Sequence, residues 1–110
     1  MFSPELKKGS MEMLILSLLE ARARHGYEIG KLIEIRSGGK LKFALPSVYP
    51  ALLRLENRGW IKGRWVEKPG ERQRCFYKLT VQGRKILKQK QKTWNEYIAA
   101  VNGVMGVCDA

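Results

Sequence analysis

Apolar residues recur at helical spacing over four stretches of this chain and alternate with polar ones between the third and the fourth. From about Pro4 to Ala21, Leu6, Met11, Leu14, Ile15, Leu18 and Leu19 form one wide face, and Pro4 and Glu5 suit an opening turn, which predicts a first helix. Met13 and Leu16 make that helix apolar nearly all round. A helix greasy on both sides needs cover on both sides, which in a chain this small points to a partner subunit. His25-Gly26-Tyr27-Glu28-Ile29 opens a second helix, which carries Leu32 and Ile33 and ends at the Gly38-Gly39 stop. Leu41 and Phe43 then alternate with lysines, predicting a short strand over residues 40–44 that joins a later hairpin.

A third helix is expected to begin at Pro46 or Ser47: with Pro46 as the first helical residue Pro50 sits one turn in and bends the helix, whereas with Ser47 as the N-cap Pro50 falls in the first turn, where a missing N–H costs nothing, and that economy favours Ser47. Val48, Leu52 and Leu55, with Tyr49 and Leu53 beside them, are expected to face the core. Ser47, Pro50, Ala51, Arg54 and Arg58 are then left outward, and Gly59 stops the helix. Trp60–Val66 and Gln73–Leu79 alternate as two strands joined by a turn with Pro69 and Gly70 at its centre. Thr80 caps a last helix reaching about Met105. Trp94, Tyr97, Ile98, Val101 and Met105 line one stripe of that helix, and nothing remains in the chain to cover them, so the stripe is expected to meet its two-fold mate.

At 110 residues there is room for one modest core. The net charge of +11 implies an anionic partner, and its distribution narrows the choice. Residues 40–92 hold 15 Lys and Arg against 3 Asp and Glu, whereas residues 1–39 hold 6 against 5. The excess therefore sits on the third helix, the hairpin and the start of the last helix. Lys68, Arg72 and Arg74 crowd the hairpin tip, where like charges repel unless an anion lies between them. A helix followed at once by a basic hairpin is the layout of a winged helix-turn-helix, in which the helix enters the major groove of DNA and the hairpin grips the backbone beside it.

Other chemistries find little support. Cys75 and Cys108 lie far apart with no CxxC spacing and one His in the chain, so they read as reduced thiols of a cytoplasmic protein, with no metal and no cofactor expected. A single Asp and the lack of a nucleophile placed beside a base argue against an enzyme. His25 reads as a structural or phosphate-near group at a helix start. The uncharged run between Glu12 and Glu20 has 7 residues, too short to span a bilayer.

Three motifs together resemble the PadR family of transcriptional regulators over nearly the whole chain. His25-Gly26-Tyr27-Glu28-Ile29 resembles the family's HGYEI. Ser47-Val48-Tyr49-Pro50-Ala51-Leu52, with Arg54-Leu55-Glu56 and Gly59, resembles its recognition helix. Arg74-Cys75-Phe76-Tyr77-Lys78-Leu79-Thr80, with Gly83, resembles its wing strand. Pro46 stands where Gly or Ala is common, and Cys75 and Phe76 replace the usual Lys and Tyr, which moves the expected phosphate contacts to Arg72 and Arg74.

The resemblance implies a mainly α fold with a small β-hairpin wing. Residues 1–80 would form a winged-helix DNA-binding domain, and residues 81–110 a C-terminal dimerisation helix packed on it. It further implies a homodimeric repressor that binds an inverted repeat in double-stranded DNA. Tyr27, Ser47, Tyr49, Arg54, Lys68, Arg72 and Arg74 are the expected DNA contacts. Trp94, with Tyr97 and Ile98 beside it, is the expected seat of a small aromatic or hydrophobic effector. Two other functions would use the same charge: nucleic-acid binding without sequence preference, and docking of an acidic protein partner.

Overall fold

In a computed structural model that describes residues 4–106, with side chains from Ser10 to Gly106, seven elements follow one another. They are α1 (Pro4–Ala21), β1 (Arg24–His25), α2 (Gly26–Arg36), α3 (Leu45–Asn57), β2 (Ile61–Val66), β3 (Arg74–Leu79) and α4 (Val81–Met105). The strands form one antiparallel sheet in the order β1-β3-β2. Every element except β1 contributes to one apolar cluster, in which Ile15, Leu16, Leu19, Ile29, Val48, Leu52, Leu55, Ile61 and Leu87 are fully buried. Leu16 is thus covered within its own chain. Among the described side chains of α1, Met13 on that side is half-buried, as is Leu14, which packs against the core, so the all-round apolar pattern of this helix needs less cover from a partner than its sequence implies.

The β-hairpin registers Ile61 opposite Leu79 and Val66 opposite Arg74. At its tip the N–H of Glu71 donates to the carbonyl of Lys68 at 3.0 Å, with Gly70 at φ 77°, so Pro69 and Gly70 occupy the two central positions expected of them. Thr80 caps α4: its Oγ1 accepts from the N–H of Gly83 at 3.0 Å and donates to the carbonyl of Gly59 at 2.6 Å. This one side chain ties the end of α3 to the start of α4. Gly83 and Leu87 are the last buried residues of α4, which then continues for some five turns away from the core. The molecule is consequently 56 Å long and 23 Å thick.

Four local expectations are corrected. Residues 40–44 form no strand; the N–H of Leu41 donates to Ser37 Oγ at 2.9 Å, folding the segment back on the end of α2 while Leu41 and Phe43 pack against the core as loop residues. Burying their side chains required no backbone pairing, and the free edge of β3 is taken by Arg24 and His25 instead. Buried Arg24 anchors this short strand, donating from Nε to the carbonyl of Leu18 at 2.8 Å and pairing with Glu28 at 2.9 Å.

Ser47 is not the N-cap of α3. Ala44 is, and its carbonyl accepts from the N–H groups of Ser47 and Val48. Pro46 then lies in the first turn, where its missing N–H has no helical partner to lose, and Pro50 lies inside the helix. Ala51 is fully buried and not outward, because it completes the stripe of Val48, Leu52 and Leu55 at helical spacing. Tyr49 and Leu53, expected beside the core, are 48% and 58% exposed. Cys108 lies outside the described residues.

Candidate nucleic-acid interface

The start of α2 organises the site. His25 is extended, and its Nδ1 accepts from the N–H of Glu28 at 3.1 Å, satisfying one of the donors left free at the helix start. The Glu28 carboxylate is held by Arg22 and Arg24, which fixes this turn against the sheet. Gly26 permits a close approach: a Cβ there would lie 2.6 Å from Cε1 of Tyr49, so the ring of Tyr49 rests on the first turn of α2. The rings of His25 and Phe76 meet edge to face, with centroids 5.2 Å apart.

Between this turn, the first turn of α3 and the wing lies a cleft of about 540 Å³. Tyr27, Tyr49, Arg72 and Arg74 line it together, so four of the seven expected DNA contacts converge. Nη1 of Arg74 lies 2.8 Å from Nε2 of His25. Burial first, then the positive charges of Arg74 and Arg22, hold the His25 pKa below its ordinary value of 6.5 against the opposing pull of Glu28. Deeper in the cleft, burial and the hydrogen bond with Cys75 push the Tyr77 phenol above its ordinary range, so it stays neutral.

The remaining three expected contacts lie elsewhere. Ser47 is exposed on the first turn of α3. Lys68 lies on the opposite face of the hairpin, beside Arg64, Phe76 and Lys78. Arg54 is 3.8 Å from Glu12 of α1, which also holds Arg58 at 2.9 Å. It therefore borders a second cleft, of about 980 Å³, between α1 and α4.

Trp94 and Tyr97 line that second cleft with Trp60 and Met13, their two ring centroids 6.4 Å apart, whereas Ile98 does not border it. Arg58 and Lys90 both lie over the ring of Trp60, at 5.0 and 5.5 Å from its centroid.

Sequence reasoning missed several residues of this surface. Trp65 is 64% exposed and lines the first cleft. Its alternation with Ile61 and Gly63 placed it on the α3 side of β2, beyond the point where the core ends, and that was the available signal. Lys62 and Lys78 stand directly opposite each other across the hairpin, with Arg64 on the same face. Among the described residues no ion pair engages Lys62, Arg64, Lys68, Arg72, Arg74 or Lys78. Like charges set directly opposite on a sheet are destabilising, so this wing is built for an anionic neighbour.

Comparison with known proteins agrees with this geometry. A transcriptional regulator from Clostridium thermocellum superposes with a TM-score of 0.85 at 32% identity, over 94% of this chain and 97% of that one. A PadR-family transcriptional regulator from Eggerthella lenta gives 0.81 at 26% identity, over 92% and 86%. A PadR-family regulator from Clostridium difficile gives 0.73 at 30% identity, over 88% and 98%. Among the described residues no helix is long and apolar enough to cross a membrane. Residues 15–89 match the model of the transcriptional regulator PadR-like family, and that span takes in α2, α3 and the whole wing; the chain belongs to the PadR family of transcriptional regulators.

Proposed function

We propose that this regulator is a cytoplasmic homodimeric repressor that binds an inverted repeat in a promoter and is released by a small hydrophobic effector. The observation that carries the DNA-binding part is the set of six wing cations that have no carboxylate partner among the described residues, beside the exposed first turn of α3. Two subunits would present their α3 helices about 34 Å apart, one turn of DNA, so that each enters a major groove. Ser47, Tyr49 and Arg54 are the proposed contacts of α3, with Arg54 leaving Glu12 to reach DNA. Tyr27, Lys68, Arg72 and Arg74 grip the flanking backbone.

Dimerisation is assigned to α4, whose outer half exposes Trp94, Tyr97, Ile98, Val104 and Met105. Ile98 belongs to that face, while Trp94 and Tyr97 serve both the face and the second cleft. An effector seated there would change the crossing of the two α4 helices and hence the spacing of the α3 helices. It acts only if it binds the two dimer shapes unequally.

The test is binding to the upstream region of the protein's own gene across a salt series with random DNA as competitor. A preference of about a thousandfold and a slope of several neutralised phosphates per subunit are expected. Equal binding to random DNA would replace this reading with binding that lacks sequence preference. A hydrophobic compound that quenches Trp94 fluorescence should lower operator affinity; quenching without that effect removes the effector from the proposal.

A further inference from the structure

His25 faces two groups that only donate hydrogen bonds. The N–H of Glu28 points at Nδ1 from 3.1 Å, and the guanidinium of Arg74 lies 2.8 Å from Nε2. A neutral imidazole has one N–H and one acceptor nitrogen, so in either tautomer one of these contacts sets a donor against a donor. Protonating the ring makes both contacts unfavourable. The Nδ1 bond is the helix cap, which leaves Nε2–H and Arg74 as the pair that points two donors at one place. A single anion accepting from both removes the conflict.

We infer that His25 and Arg74 jointly bind one phosphate of the DNA backbone, His25 as a neutral imidazole donating from Nε2 while Nδ1 keeps the cap of α2. The inference rests on the DNA-binding reading above and adds His25 to it. The surroundings suit such an anion. Tyr27 is stacked 6.4 Å from the His25 ring and Arg72 lies in the same cleft. Arg22 adds positive charge from the loop between α1 and β1, and the carboxylate nearby, Glu28, is already held by Arg22 and Arg24. The depressed basicity of His25 fits a ring that is neutral at pH 7 and capped through Nδ1.

His25 is the chain's single histidine, so its ring can be read without ambiguity. The first measurement is nitrogen-15 NMR of that ring in the wild-type protein, with and without a duplex of the gene's own upstream region. A neutral ring protonated on Nε2 is expected in both, with the Nε2–H proton protected from exchange only in the complex. The second is a variant series on the same duplex. His25→Asn keeps a side-chain oxygen to cap α2 and removes Nε2–H; it should melt near the wild type and bind about tenfold more weakly, as expected for losing a hydrogen bond to a charged acceptor.

Arg74→Gln should weaken binding further and lower the salt slope by about one per subunit. Combining the two should cost less than the product of the single effects, because both act on one phosphate. Wild-type-like binding by His25→Asn, fully multiplicative effects, or a ring whose Nε2–H is unchanged by DNA would each overturn the inference while leaving the DNA-binding reading intact. Failure of the wild type to bind the duplex would remove both.

Discussion

Tyr49 shows how a residue's exposure depends on its neighbour. Helical spacing set it beside Val48 and Leu52, yet it is 48% exposed because its ring lies over the first turn of α2 at Gly26 and not in the core. Gly26→Ala would place a methyl group 2.6 Å from Cε1 of that ring. The ring must shift, and the expected cost is about 1–3 kcal/mol, measured by urea denaturation. His25 carries a second expectation at this scale. Its folded pKa lies below the 6.5 of an unfolded chain, chiefly through burial and Arg74, so the unfolded state binds the proton more readily. Its contribution is therefore present above pH 6.5 and lost as the pH falls toward the lower folded value. Thermal melts from pH 8 to pH 5 should show that loss in the wild type, and a smaller one in His25→Asn.

At the level of elements, the wing and the cap of α4 lend themselves to separate tests. Arg72 and Arg74 line the cleft beside α2, while Lys68 lies on the other face with Arg64 and Lys78. A hairpin that presents cations on both faces suits the proposed grip on the DNA backbone. Arg72→Gln should weaken binding to specific and random DNA by similar factors and lower the salt slope by about one per subunit. A loss confined to the specific site would instead assign Arg72 to base readout. Thr80→Ala removes both the acceptor for Gly83 and the bond to Gly59. The expected destabilisation is about 1 kcal/mol in chemical denaturation, typical of a lost N-cap.

For the whole molecule, the length of α4 is the governing fact. It extends far past Leu87, its last buried residue, and its outer half exposes Tyr97 at 62% and Met105 at 63%. An apolar stripe of this kind costs free energy in water unless a second surface covers it. In the proposed dimer, Ile98→Glu should shift the protein toward monomer in sedimentation velocity and weaken operator binding, since a single subunit would engage only one half-site of the proposed inverted repeat. An unchanged sedimentation coefficient would remove α4 from the proposed dimer interface, with the half-buried Met13 and Leu14 of α1 the next surface to test.

Periodicity and turn chemistry determined much of this protein before any tertiary contact was considered. The bounds of α1, the Pro69-Gly70 turn, the Thr80 cap and the end of α4 near Met105 all follow from signals within a few residues of one another, and so does the concentration of charge on the wing. The tertiary structure decided what depends on distant neighbours. Leu41 and Phe43 alternate as a strand would, but Arg24 and His25 hold the edge of β3, and nothing local to residues 40–44 reveals that competition. Ser47 has the chemistry of a cap, yet the helix begins three residues earlier with Pro46 in its first turn. Arg54 is outward as its helical spacing implies, and only the packing of α1 on α3 brings Glu12, 42 positions away, beside it. His25 meets Arg74 only because β1 pairs with β3. Local spacing fixes which backbone shape is cheapest, whereas the partner of a charged or hydrogen-bonding side chain is set by how the elements pack, and that information is spread over the whole chain.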